Sequence, residues 1–182
     1  MAQVNRRFLM SYTLVLGGAR SGKSRYAQRA AEAAATAACT KPIAIVTAQI
    51  YDDEMAERVA KHREERGDEW ETIEAPLDLP QAIETLEEGD VAVIDCVTLW
   101  LTNVMLAEKD IAQQTRELLA ALTITRAEIW VVSNEVGWGI VPDNALARRF
   151  RDEAGRLNQA LAESGKHSVL IVAGMKLDLM RP

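Results

Sequence analysis

One stretch, Gly17-Gly18-Ala19-Arg20-Ser21-Gly22-Lys23-Ser24, constrains this chain more than any other. It matches G-x-x-x-x-G-K-[ST] and stands between an apolar run over 12–16 and an alanine-rich stretch over 24–38, the strand–loop–helix setting that the pattern requires. Glycines let consecutive backbone N–H groups turn inward around phosphate oxygens, and the start of the following helix adds positive potential. Lys23 supplies a point charge for the β and γ phosphates, and the Ser24 hydroxyl is a ligand for Mg²⁺. The eight residues are read as a phosphate loop for a nucleoside triphosphate, with Lys23 catalytic and expected to face solvent when no nucleotide is bound.

The rest of the chain continues that alternation. Short, nearly continuous apolar runs at 43–47, 91–94, 129–133 and 169–173 follow the one at 12–16, and unbroken hydrophobicity of this length marks strands buried on both faces. Between them, helices are predicted over 24–38, 52–66, 78–86, as a pair within 99–122, and over 143–164. A short strand over 71–74 precedes a connection carrying two prolines. The order predicts an α/β domain with a mostly parallel central sheet, helices on both faces, and ligands gathered at the carboxyl ends of the strands. A length of 182 residues fits one core, so 1–11 is read as a flexible N-terminal extension and 12–182 as a single domain.

Charge and cysteine usage narrow the function. A net charge of −6 opposes nonspecific binding to nucleic acid or anionic membranes. No apolar run approaches the roughly 18–20 residues of a membrane span. Cys39 and Cys96 lie far apart without a CxxC pair, which suits the reducing cytoplasm and two buried or inert thiols. With His62 and His167 they form no zinc-ligand spacing. The base-reading [NT]-K-x-D of guanine-nucleotide switch proteins has its nearest approach in Met175-Lys176-Leu177-Asp178, with methionine in the first place. Phosphate transfer to a small molecule fits this balance better than switching or DNA translocation.

Two residues outside the loop carry candidate chemistry. Asp95 closes the run Val91-Ala92-Val93-Ile94, where a carboxylate holds Mg²⁺ directly or through water, or alternatively caps a helix. His62 falls on one stripe with Met55 and Val59 in the helix over 52–66. Spacing alone leaves two readings of it open, a core-facing histidine and a functional one.

Read in order, these residues closely resemble the family of bifunctional adenosylcobinamide kinases/adenosylcobinamide-phosphate guanylyltransferases of cobalamin biosynthesis. The resemblance covers nearly all of the chain after Ser11 and rests first on the phosphate loop. It continues through Thr47-Ala48-Gln49, Asp52-Asp53-Glu54-Met55, 58–66 with Trp70, Ile94-Asp95-Cys96-Val97-Thr98 and Thr102-Asn103. Asn134-Glu135-Val136-Gly137, Gly139-Ile140-Val141-Pro142, Arg148, Phe150-Arg151-Asp152, Ala154-Gly155-Arg156 and Asn158-Gln159 extend it toward the end. It implies a RecA-like P-loop fold, ATP and GTP as nucleotide substrates with Mg²⁺, a corrinoid acceptor (adenosylcobinamide and its phosphate), and a homotrimer. It also implies that His62 is the nucleophile that carries GMP. Gly17, Gly18, Ala19, Arg20, Ser21, Gly22, Lys23, Ser24, Thr47, Ala48, Gln49, Arg63, Glu64, Glu65, Arg66, Glu74 and Asp95 match nucleotide-contacting positions, with Ser24 and Asp95 serving the metal.

Three positions depart from the family pattern: Lys61 stands where some members have a second histidine, Asp95 where others have glutamate, and Ala48 where others have serine. Two rivals remain, a single-activity small-molecule kinase in which His62 is structural, and a nucleotide-dependent regulatory module. The helix around His62 argues against the first and the missing [NT]-K-x-D against the second. Asn134-Glu135 reads as a turn at the ligand-binding edge. Trp138, in the glycine-rich loop beyond it, is placed to meet a large flat ligand, but core or interface packing is the more usual role of tryptophan.

Overall fold

The computed structural model describes residues 12–49, Glu57, Glu64 and 67–181. Six strands and a hairpin partner form one seven-stranded sheet: β1 (Tyr12–Gly17), β2 (Pro42–Val46), β3 (Glu71–Glu74), β4 (Val91–Asp95), β5 (Glu128–Asn134), β6 (His167–Val172) and β7 (Met175–Leu179). Their spatial order is β3-β2-β4-β5-β1-β6-β7, parallel throughout except for the final antiparallel pair β6–β7. Among the described residues five α-helices have both ends defined: α1 (Lys23–Ala38), α2 (Leu79–Glu84), α3 (Val97–Leu106), α4 (Ile111–Ile124) and α5 (Ala145–Ser164).

Strand residues alternate between two cores, one on each face. Leu14, Ile43, Ile45, Ala92, Ile94, Ile129 and Val131 join Leu79, Trp100, Leu118 and Leu157 of α2–α5. Val15, Ala44, Val91, Val93, Trp130 and Val132 join Ala27, Ala31 and Ala35 of α1 on the other. Those alanines recur every four residues along one stripe of α1, and their small side chains let the helix lie close over β4 and β5. Trp100 is fully buried, and its indole N–H donates to the Leu77 carbonyl at 3.0 Å, so its polar atom is satisfied. Side-chain caps fix two helix starts: Asp110 accepts from the Gln113 N–H and Asn144 from the Ala147 N–H.

The strand expected over 71–74 is present as β3, and the pair expected within 99–122 is present as α3 and α4, with α3 beginning two residues earlier. Two expectations need correction. The strand expected over 169–173 begins at His167 and is followed by β7, which was not expected; the turn between them runs through Ala173 (φ 50°) and Gly174 (φ 77°). Two consecutive positive φ angles are the geometry of a tight hairpin turn, here without the Asn-Gly or Asp-Gly signal that usually announces one. Met175-Lys176-Leu177-Asp178 lies on that edge strand, where Lys176 Nζ pairs with Asp178 Oδ1 at 2.8 Å. Of the two thiols expected to be buried or inert, Cys96 is buried and Cys39, at the C-terminal end of α1 with φ 57°, is exposed. Of the helix expected over 52–66, only Glu57 and Glu64 fall among the described residues; both are helical and exposed. His62, Arg63, Glu65 and Arg66 lie outside them.

Candidate active site

Strand register brings the candidate residues to one edge. Gly17 ends β1 opposite Asn134 of β5, Asp95 ends β4 opposite Val46 and Val132, and Val46 stands opposite Glu74. β5 separates the loop strand from the carboxylate strand, so the two are two strand spacings apart, about 10 Å. The first turn of α1 spans that gap: Ser24 Oγ donates to Asp95 Oδ1 at 3.4 Å.

The loop itself is tightly determined. Ser21 N–H donates to the Gly18 carbonyl at 3.3 Å, and Lys23 Nζ donates to the same carbonyl at 3.1 Å. Lys23 is only 8% exposed, so the expectation that it faces solvent is corrected: the loop folds its own carbonyl onto the ammonium, which satisfies the charge at that side. Gly22 sits at φ 96° as the N-terminal boundary of α1 and offers no side-chain cap, leaving the first N–H groups of the helix directed at the loop. The Ser21 hydroxyl is buried against Gly17 and has no hydrogen-bond partner among the described residues. A helix start with no side-chain cap, facing a glycine-rich loop, is what an anion-binding loop presents. Ala19 and Arg20 lie at its exposed tip, Arg20 with φ 56°.

Two supports of this loop come from outside it, and of them only the β5 end at Asn134-Glu135 was read in the sequence as lying at the ligand-binding edge. The β6–β7 turn abuts it: the Gly174 N–H donates to the Ser21 carbonyl at 2.8 Å, and a Cβ on Gly22 would stand 3.3 Å from the Gly174 Cα. The other is the end of β5, where the Glu135 N–H donates to the Gly17 carbonyl at 3.1 Å. Behind Asn134 lies a buried polar chain: Asn134 N–H donates to Thr98 Oγ1 (2.7 Å), Ser133 Oγ to Asn158 Oδ1 (2.6 Å), and Asn158 Nδ2 to the Asn134 carbonyl (3.2 Å). Polar residues inside α3 and α5 were the available signal, since a buried amide or hydroxyl needs a partner.

Thr47 is fully buried and closed on itself. Its Oγ1 donates to the Cys96 carbonyl at 2.7 Å and accepts from the Cys96 N–H at 3.0 Å, while Asn103 Nδ2 bridges the carbonyls of Thr47 and Pro76 at 2.8 Å each. That clamp joins the ends of β2 and β4 to the segment after β3. Ala48 and Gln49 are half-buried beyond it, and Glu74 and Glu64 are exposed. The Cys96 thiol is pushed up to about 11, first by burial and then by the neighbouring Asp95 carboxylate, so it stays a neutral thiol.

A glycine-rich loop between a buried parallel strand and a helix, with a serine hydroxyl meeting a carboxylate from a strand two places away, defines a P-loop nucleoside-triphosphate-binding domain of the RecA-like type. The model of one family, cobinamide kinase / cobinamide phosphate guanyltransferase, matches residues 13–179. The chain belongs to that family. It is 43% identical over 169 residues to the bifunctional adenosylcobalamin biosynthesis protein CobP of Pseudomonas aeruginosa, covering 91% of this chain and 95% of the relative. The CobU proteins of Escherichia coli and Salmonella typhimurium, likewise named bifunctional adenosylcobalamin biosynthesis proteins, are 38% and 39% identical over 178 residues, each match covering 89% of this chain and 96% of the relative. No helix among the described residues is long and apolar enough to cross a membrane.

Proposed function

We propose that this chain is a bifunctional enzyme of cobalamin biosynthesis that phosphorylates adenosylcobinamide with ATP or GTP and then transfers GMP from GTP to the product. The observation that carries the reading is the family match over 13–179, which spans the phosphate loop, the Asp95 strand end and the segment containing His62. In the first reaction the hydroxyl oxygen of the aminopropanol arm attacks the γ-phosphorus. A new O–P bond forms, the bond to the β-phosphate oxygen breaks, the nucleoside diphosphate leaves, and the hydroxyl proton is released to solvent. Lys23 and the N–H groups of Gly18, Ala19, Arg20 and Gly22 oppose the phosphate charge.

In the second reaction a neutral His62 ring nitrogen attacks the α-phosphorus of GTP and pyrophosphate departs. The phosphate of adenosylcobinamide phosphate then displaces the histidine, giving adenosylcobinamide-GDP. Two oxygen donors in contact, Ser24 Oγ and Asp95 Oδ1, fit Mg²⁺, which takes a few protein oxygens and completes its shell with phosphates and water. A Mg²⁺ ion held by these two residues would neutralise phosphate charge. Ala48, Gln49, Arg63, Glu64, Glu65, Arg66 and Glu74 complete the guanine-nucleotide site in this reading, with Thr47 holding its floor.

We assign the protein to the cytoplasm, where both nucleotides are held, and to a homotrimer. The exposed apolar residues Met175, Leu177 and Leu179 along β7 support association, and a mass in solution of about three protomers is expected by light scattering. Incubating the protein with adenosylcobinamide, Mg²⁺ and GTP, and separating the products, tests the function. Adenosylcobinamide phosphate followed by adenosylcobinamide-GDP is expected; accumulation of the phosphate alone contradicts the second half.

A further inference from the structure

We infer that the loop following β5, residues 136–143, is the surface that seats the corrin ring of the acceptor; the inference rests on the proposed function and names the binding site for its substrate. Trp138 is 77% exposed, Ile140 97% and Val141 61%, with Leu146 at 58% on the first turn of α5. The other three tryptophans are each at most 8% exposed, so this one stands apart. Four large apolar side chains exposed within nine residues are a local density that a ligand or partner would explain.

The loop is held rather than loose. The Gly137 N–H donates to Glu135 Oε1 at 2.7 Å, and Arg148 Nη1 donates to the carbonyls of Pro142 and Asp143 at 2.9 and 2.7 Å. Its root is pinned to the phosphate loop by the bond from the Glu135 N–H to the Gly17 carbonyl. Both ends of the loop are therefore held, and its start is bonded to the end of β1 from which the phosphate loop begins, an arrangement that suits a corrinoid kinase. A corrin is a broad, flat, largely apolar ring edged with amides, and its reacting hydroxyl sits on a short arm at the rim. Trp138 is three residues from Glu135, a reach of at most about 10 Å, so a ring on Trp138 leaves its arm within range of the loop that holds the γ-phosphate. An aromatic face and aliphatic neighbours suit the ring, and exposed backbone amides of the glycine-rich segment suit its rim.

Trp138→Ala, Ile140→Ser and Trp138→Phe variants of the full chain test this with adenosylcobinamide as the varied substrate. The two truncations are expected to raise the KM for adenosylcobinamide about tenfold each, a typical cost of losing one stacked or buried apolar contact. Trp138→Phe should restore most of it. The KM for GTP and the mass in solution should stay at wild-type values, and circular dichroism should confirm folding, since these side chains contribute little to the core. A corrinoid KM within about twofold of wild type in both truncations overturns the inference. So does a fall in mass for Trp138→Ala, which would assign the patch to contact between copies. Wild-type protein inactive on adenosylcobinamide would instead overturn the function itself, so the two failures are told apart.

Discussion

Lys23 and Ser24 are adjacent in sequence, yet their side chains take different partners: the ammonium folds back to the Gly18 carbonyl, and the hydroxyl reaches the carboxylate of Asp95. Each is therefore placed before nucleotide arrives, and the two should fail differently. Lys23→Ala is expected to reduce both the kinase and the guanylylation rate at least 100-fold, because both transfers build charge on phosphate oxygens that this cation opposes. Its circular dichroism spectrum should remain native, which separates loss of charge from loss of fold. Asp95→Asn keeps size and hydrogen bonding but removes the anion. The Mg²⁺ concentration for half-maximal rate should rise about tenfold or more while nucleotide binding changes little, as a titration of rate against Mg²⁺ would report; an unchanged titration would leave Asp95 as a strand-end partner for Ser24 alone. Thr47 teaches the converse at this scale. It matches a nucleotide-contacting position, and its hydroxyl is engaged by both polar atoms of the Cys96 backbone, a partnership that spacing along the chain had no means to reveal.

At the level of elements, what could be read from the sequence is what hydrophobic runs determine. β1, β2, β4 and β5 are nearly continuous apolar segments because both sheet faces are covered, and that continuity made them legible. β7 was not legible for the opposite reason. Every residue in it is exposed, and it pairs only with β6, so burial imposed no pattern on Met175–Leu179. Its turn uses alanine in the first left-handed position, which carries no signature. The phosphate loop was plain in the sequence, but its buttress at Gly174 lies about 150 residues away and becomes visible only when β6 aligns beside β1. Gly174→Ala tests that buttress. With φ at 77°, a Cβ costs about 1–2 kcal/mol, which for a domain of this size lowers Tm by about 2–8 °C. Displacing the turn from the Ser21 carbonyl should also raise the KM for GTP, and thermal melts with initial-rate kinetics would read both. An unchanged KM for GTP would show that the turn stabilises the sheet edge without shaping the loop.

Over the whole molecule, the carboxyl ends of five parallel strands collect the phosphate loop, Asp95, the Thr47 clamp, Glu74 and the loop bearing Trp138 on one edge, so both reactions are proposed to share one phosphate-binding centre. Such an edge is where an open α/β sheet binds its ligands whatever the chemistry, which is why the fold alone does not distinguish one transfer from two. The distinction rests on His62. It is measured by incubating the protein with Mg²⁺ and GTP labelled at either the α- or the γ-phosphorus, without corrinoid, and then locating any covalent label. Guanylylation keeps the α-phosphorus and releases the γ-phosphorus in pyrophosphate, so the account predicts α-label on the protein and no γ-label. The bond should be lost in acid, survive alkali as a phosphoramidate does, and be missing from His62→Ala, a variant that still phosphorylates adenosylcobinamide. Wild-type protein that takes up no α-label, or a His62→Ala variant that keeps it, would contradict the account.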